Sequence, residues 1–174
     1  MKQEYTSSET SINQIPAVYT KFPQAFGKGD RVLDYGGGKY DTTKEYMAQF
    51  GVKVDVYDPF NRSVAHNKKI TDAYKMKKAD VIVCANVLNV IKEPEVIEGI
   101  IHEIMYKYAG ANTIVIFQVY EGDKSGKGKV TTKGYQRNQP ASSYSVFFKR
   151  AYRGKMIRKG RFFISASYSR THKD

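Results

Sequence analysis

Cysteine is nearly absent from this chain, since Cys84 is the only one in 174 residues. A single cysteine excludes an internal disulfide framework and a zinc site made of several cysteines. Histidine is also scarce, and His66, His102 and His172 lie too far apart in sequence to show the spacing of metal ligands. No metal site is therefore predicted.

Long apolar runs are absent too. No run approaches the roughly 20 residues that cross a bilayer, and the N-terminus is polar rather than a secretory signal. The sequence therefore predicts a cytoplasmic protein with no membrane partner. At 41% hydrophobic residues the chain can build one core, and its length fits a single domain over residues 1–174.

The net charge of +12 is unevenly distributed. Residues 1–120 carry 15 Lys and Arg against 14 Asp and Glu, whereas residues 121–174 carry 14 against 3. This contrast predicts that the C-terminal third binds a polyanion, with nucleic acid as one candidate. A solvated basic face that only aids solubility is the alternative.

Residues 31–41 read as a strand end, a tight glycine turn and a helix start, where a ligand can touch bare backbone. Gly36, Gly37 and Gly38 follow Asp34, and Asp41 stands where a dinucleotide fingerprint has its last glycine. A carboxylate before the glycines repels a pyrophosphate and suits a cationic ligand. The pattern therefore disfavours a nicotinamide-dependent reductase, and an ordinary glycine turn remains the alternative.

A second acidic residue follows the next strand. Residues 52–57 alternate apolar and polar side chains, and Asp58 comes 24 residues after Asp34. An acidic residue about 20 residues past such a turn accepts hydrogen bonds from ribose hydroxyls. Pro59 ends the strand, and Phe60 is placed to lie along an adenine. An ordinary Asp-Pro turn is the alternative.

Further elements complete an α/β pattern. Apolar strands are predicted at residues 80–85 and 113–120, and a helix with a buried stripe at 93–109. Helices are also predicted at 42–50, capped by Thr42 or Thr43, and at 142–152. The segment 64–69 reads as short and polar, residues 121–140 as a mobile basic loop, and residues 155–168 as a hairpin turned at Lys159-Gly160.

Three stretches together resemble the class I, Rossmann-like S-adenosylmethionine (SAM)-dependent methyltransferases and, more narrowly, the methyltransferases associated with DNA phosphorothioation. They are Asp34-Tyr35-Gly36-Gly37-Gly38, Tyr57-Asp58-Pro59 and residues 86–91. The resemblance implies a doubly wound, mostly parallel sheet of seven strands that ends in an antiparallel hairpin. It divides the chain into an N-terminal cap (1–29), a SAM-binding core (30–120) and a basic substrate-side segment (121–174).

The resemblance also implies roles for individual residues. SAM is the expected cofactor, with its methionine end at residues 34–38, its ribose at Asp58 and its adenine near Phe60. The remaining residues expected to bind the cofactor are Pro59, Asp72, Ala73, Asn86 and Val87.

Asn89, as an orienting group, and Glu121, as a base, are the expected catalytic residues. The motifs of amino-methylating and cytosine-C5 DNA enzymes are absent, because no prolines follow Asn86 and Cys84 follows Val83. The sequence thus predicts a SAM-dependent methyltransferase whose acceptor is unidentified, with nucleic acid as one candidate. A non-catalytic module of the same fold that binds nucleic acid is the alternative.

Overall fold

The computed structural model describes residues 3–165. Within that range the α-helices are α1 (Ala17–Lys21), α2 (Thr42–Ala48), α3 (Val64–Met76), α4 (Pro94–Glu103) and α5 (Ser145–Ala151). The strands are β1 (Arg31–Tyr35), β2 (Lys53–Tyr57), β3 (Val81–Ala85), β4 (Ile114–Gln118), β5 (Lys129–Thr131), β6 (Gly134–Gln136), β7 (Met156–Lys159) and β8 (Phe162–Ser165). Short 3-10 helices lie at Pro23–Ala25, Leu88–Val90 and Ala141–Tyr144, and a π-helical turn at Ile104–Tyr108 extends α4.

The central sheet has the strand order β2-β1-β3-β4-β8-β7. The first four strands are parallel, whereas β8 runs antiparallel to β4 and pairs with β7 as a hairpin. The predicted fold class, a mostly parallel α/β sheet with a late antiparallel hairpin, is confirmed. The resemblance implied seven strands, and this sheet has six in the part of the chain that the structure describes.

Each central strand sends alternate side chains to opposite faces of the sheet, which is why the sheet carries helices on both sides. Leu33 and Ile82 enter the core that α3, α4 and α5 cover. Val32 and Val81 enter the second core, which α1 and α2 cover. All five residues of β4 are buried, as a strand covered on both faces requires.

Residues 64–76 differ from the prediction, because they form the helix α3 rather than a short polar segment. Ser63 begins it as N-cap, and its hydroxyl accepts a hydrogen bond from the His66 amide at 3.2 Å. Of its residues only Asn67 and Tyr74 are buried, so the apolar periodicity that reveals a helix is weak here. Asp72 and Ala73 consequently lie within a helix and not beyond a strand.

The basic segment after β4 is more ordered than the predicted loop. Its residues 129–136 fold back as the β5–β6 hairpin, a separate two-stranded sheet. The later hairpin turns at Gly160, which has a φ of +58°, as the sequence predicts. The predicted second strand of that hairpin runs on to residue 168, and residues 166–168 lie outside the described range.

Across residues 3–165, no helix combines the length and the apolar character that crossing a membrane requires. Over the same range, no group of His, Cys, Asp and Glu side chains could hold a metal ion.

The buried Tyr74 tests how α3 is held against the sheet. Its hydroxyl lies 2.9 Å from Asp55 Oδ2 and 3.1 Å from the main-chain oxygen of Val32. We expect Tyr74→Phe to lower the free energy of unfolding by about 1–2 kcal/mol, because the one hydroxyl hydrogen that these two acceptors share is lost. Urea denaturation measures this change. Tyr46→Phe is the control, since the Tyr46 hydroxyl makes no hydrogen bond within residues 3–165, and equal effects of the two variants would contradict the expectation.

Candidate active site

The glycine turn lies at the carboxyl end of β1, between that strand and α2. Gly36 and Gly38 both have a φ of +80°, which is costly for residues that carry a Cβ. A Cβ on Gly36 would come within 2.4 Å of the Val87 side chain, and one on Gly37 within 2.7 Å of Asp34 Cγ. Conformation and space both require glycine here, so the turn presents bare backbone.

Asp34 is the last but one residue of β1 and is 1% exposed. Its Oδ1 and the Tyr19 hydroxyl are both buried, and among the described residues neither completes a hydrogen bond of good geometry. Burial raises the pKa of Asp34 to about 7, an effect that the nearby Tyr19 hydroxyl partly offsets. A buried carboxylate oxygen without a partner is costly for a fold, and a cationic donor would satisfy it.

Asp58 ties the end of β2 to the glycine turn. Its Oδ2 accepts a hydrogen bond from the Gly38 amide at 2.9 Å, and its Oδ1 accepts from the amides of Phe60 and Asn61. Asn67 of α3 bonds both the amide and the carbonyl of Asp58. A carboxylate has acceptor capacity beyond these three bonds, so they leave room for a ribose hydroxyl. The ribose role of Asp58 stays a prediction.

Arg62 also holds the glycine turn in place, a role that no sequence pattern predicts. Its guanidinium donates to the carbonyls of Gly38 and Tyr40 and pairs with Asp41 at 2.7 Å. The side chain of Asp41, the N-cap residue of α2, makes no capping hydrogen bond. The predicted cap by Thr42 or Thr43 is therefore wrong, since Asp41 is the N-cap residue. The Asp41 carboxylate pairs with Arg62 instead of capping the helix.

The segment that follows β3 carries Asn86 and Asn89. Asn86 has a φ of +59°, and its Oδ1 accepts from Gln118 Nε2 at 3.1 Å. Gln118 Oε1 in turn accepts from the Val18 amide of α1 at 2.9 Å. Asn89 is 2% exposed, with its Oδ1 on the Tyr120 amide and its Nδ2 on Gln136. Asn89 thus fastens the segment after β4, and its side chain is engaged there rather than free to orient an acceptor.

Glu121 serves as an anchor of the loop after β4. Its carboxylate accepts from the Ala141 amide at 2.7 Å and pairs with Lys124 at 3.0 Å. The Ala141 amide and Lys124 lower the pKa of Glu121. A general base needs the opposite shift, toward the working pH, so this geometry argues against the predicted role.

Asp72 is not brought to the glycine turn. It lies nine residues beyond Ser63 on α3, about 13 Å along the helix axis, and it pairs with Lys68 and Lys75. By contrast Pro59 and Phe60 directly follow Asp58, and the Phe60 ring is 39% exposed. Among the residues predicted to bind the cofactor, Phe60 therefore lies beside the glycine turn, whereas Asp72 and Ala73 lie away from it.

The N-terminal segment covers the third glycine. Ser11 Oγ accepts from the Lys39 amide at 3.1 Å and lies 2.4 Å from where a Gly38 Cβ would stand. Asn13 is hydrogen-bonded to Thr42. A ligand that contacts this face of Gly38 has to displace Ser11.

The comparisons with known proteins agree with this geometry. A family model described as "Methyltransferase domain" matches residues 9–154, so the chain belongs to that family. A SAM-dependent methyltransferase from Aquifex aeolicus is 15% identical, with 86% of this chain and 89% of that chain covered and a TM-score of 0.54. A search of curated protein sequences gave no match.

Two further solved structures have a similar fold. A TehB-like SAM-dependent methyltransferase from Corynebacterium glutamicum is 17% identical over 90% of this chain and 89% of that chain, with a TM-score of 0.51. The CcbJ methyltransferase from Streptomyces caelestis is 11% identical over 92% of this chain and 98% of that chain, with a TM-score of 0.57. At these identities the likeness is one of fold. The predicted class, the SAM-dependent methyltransferases of class I, is confirmed, and SAM is the cofactor of that class.

Asp34 predicts an unusual dependence of stability on pH. Its pKa is about 7 in the folded state against an ordinary 3.8, so between those values the folded chain holds a proton that the unfolded chain has released. This carboxyl therefore makes the fold less stable as pH rises from 4 to 7, by up to about 4 kcal/mol. Asp34→Asn should abolish that slope, so that its stability relative to wild type rises with pH. Urea denaturation at pH 5, 6, 7 and 8 measures the difference.

Asp41→Asn is the matched control for this series. The hydrogen bond from Arg62 lowers the pKa of Asp41, so the difference between this variant and wild type should be constant above pH 5. A constant difference for Asp34→Asn as well would contradict the buried-carboxyl argument.

Proposed function

We propose that this chain binds SAM at the glycine turn and transfers its methyl group to an acceptor at the carboxyl edge of the sheet. The observation that carries this proposal is the buried carboxyl of Asp34 at the head of three glycines, with only the poorly aligned Tyr19 hydroxyl beside its Oδ1. A compound that carries an ammonium group and an adenosyl group satisfies both features. Because the carboxylate precedes the turn, an anionic pyrophosphate would be repelled there.

Residues around the turn divide between the two ends of such a ligand. Asp34 and the backbone of residues 36–38 hold the methionine end. Asp58 and Phe60 hold the adenosine, and Asn86 with Val87 flanks it from the end of β3. When bound, SAM supplies an electrophilic methyl group. The work left to the chain is to position the acceptor and to exclude water.

A second candidate function, a binding module of the same fold without catalysis, also has an observation in its favour. Asn89 and Glu121, the side chains expected to assist chemistry, are both engaged in hydrogen bonds that hold loops. Methyl transfer requires a base only where the acceptor must lose a proton, so these bonds do not weigh against catalysis on a nucleophile that is already neutral or anionic.

The cofactor proposal predicts a specific pH dependence of SAM binding. The ammonium requires ionised Asp34, whose pKa is about 7 before binding, so affinity should fall about tenfold from pH 6 to pH 5, a range in which the amino group of the ligand stays protonated. Titration calorimetry in two buffers of different ionisation enthalpy should show one proton released per SAM bound at pH 6. Asp34→Ala should abolish binding, whereas Asp72→Asn should leave it unchanged, and wild type that gives no heat with SAM contradicts the proposal.

The two candidate functions separate on turnover. A methyltransferase should convert labelled SAM to S-adenosylhomocysteine and label a component of cell extract, whereas a module would bind SAM or nucleic acid and label nothing. Glu121→Gln should lower thermal stability without shifting the pH profile of methyl transfer, because Glu121 anchors a loop. A loss of the acidic limb of that profile in Glu121→Gln would restore Glu121 as the base, since a general base must be deprotonated to act.

A further inference from the structure

The topology places two basic turns on either side of the end of β4. Gln118, the last residue of β4, pairs with Phe162, the first residue of β8. The turn before β8, residues 158–161, therefore lies at the carboxyl edge, and the Val119 amide donates to the Arg161 carbonyl at 3.1 Å. The loop that leads to the β5–β6 hairpin leaves β4 at this same edge. The two turns thus flank the edge that carries the proposed cofactor site.

Both turns are rich in cations. The loop and hairpin carry Lys124, Lys127, Lys129 and Lys133, and the second turn carries Arg158, Lys159 and Arg161. Within residues 3–165, no ion pair engages Lys127, Lys129 or Lys133, and all three are exposed. The two turns lie close to each other, because the Val119 amide bonds the Arg161 carbonyl and Glu121, two residues further on, pairs with Lys124 at 3.0 Å. The acids of this loop are Glu121, already paired, and Asp123.

The opposite edge of the sheet also carries lysines, among them Lys28, Lys53 and Lys77, and there Lys53 lies 3.6 Å from Asp55. The carboxyl edge differs because its lysines stand on a loop and hairpin at the same edge as the proposed cofactor site, so a polyanion bound there lies at that edge.

Tyr120 stands between the two basic turns and is 53% exposed. Its backbone is fixed on both sides, because its amide donates to Asn89 Oδ1 at 3.1 Å and its carbonyl accepts from Gln136 Nε2 at 3.3 Å. Gln136, which bonds the Tyr120 carbonyl, is the strand partner of Lys129, so the backbone of Tyr120 lies near the lysine-bearing hairpin. An exposed tyrosine on a fixed backbone near lysines is suited to stack on an unpaired base.

We propose that this edge binds single-stranded nucleic acid, with a base stacked on Tyr120 and phosphates held by Lys127, Lys129 and Lys133. As a statement about the methyl acceptor, this proposal rests on the proposed function. Binding itself needs no SAM, so the two can fail separately. A duplex would offer the lysines phosphates but would offer Tyr120 no free base.

Fluorescence anisotropy with a labelled 20-nucleotide single strand tests the charge contribution. The triple variant K127A/K129A/K133A should reduce the magnitude of the slope of log K against log salt by about 2. Each lysine that contacts a phosphate of a single strand contributes about 0.7 to that slope through counterion release. The triple variant K28A/K53A/K77A removes equal charge from the opposite edge and should leave the slope unchanged. Equal losses in both variants, or no binding by wild type, would overturn the proposal.

The stacking contribution is tested in the same assay. Tyr120→Ala should weaken single-strand binding about tenfold, whereas Tyr120→Phe should retain it. A duplex of the same length that binds as tightly would overturn the proposal, as would polyglutamate that competes equally at matched charge, since the partner would then be duplex or an acidic protein surface. Asp34→Asn should lose SAM and keep the oligonucleotide, which distinguishes failure here from failure of the cofactor site.

Discussion

The contact on which the site depends is the hydrogen bond from the Gly38 amide to the Asp58 carboxylate. It fastens the glycine turn at the end of β1 to the end of β2, and Asn67 holds Asp58 in turn from α3. Arg62 closes the same loop from outside through the Gly38 carbonyl. Because these bonds hold the turn in place, Asp34 can remain buried beside it although its Oδ1 completes no hydrogen bond of good geometry.

A buried carboxylate that the Tyr19 hydroxyl satisfies only in part is a cost to folding that a cationic ligand would recover. Sites of binding and catalysis are where such local costs concentrate, and the surrounding structure compensates for them. Here the compensation is visible in two cores that are continuous on both faces of the sheet, with β4 buried along its whole length. These two cores offset the cost of the buried Asp34 carboxyl, which lowers stability but suits a cationic ligand.

Much of this arrangement could be predicted from local sequence. The parallel strands follow from apolar runs, the glycine turn from three residues without Cβ, and the late hairpin from Lys159-Gly160. The helix α3 could not, because its buried residues are too few to make a periodic signal. Arg62, and the structural use of Asn89 and Glu121, depend on contacts between residues distant in sequence. A list of residue types at one edge of a sheet does not reveal which of them are already bonded to one another.

Ser11 lies on the third glycine and accepts a hydrogen bond from the Lys39 amide. Entry of a ligand to that glycine is therefore a two-step event, in which the N-terminal segment lifts before the ligand settles. In such a scheme the observed association rate reaches a ceiling as ligand concentration rises, and the ceiling is the opening rate of the segment. With ligand bound the segment is already displaced, so the residence time is set by the ligand's own contacts and not by the opening rate.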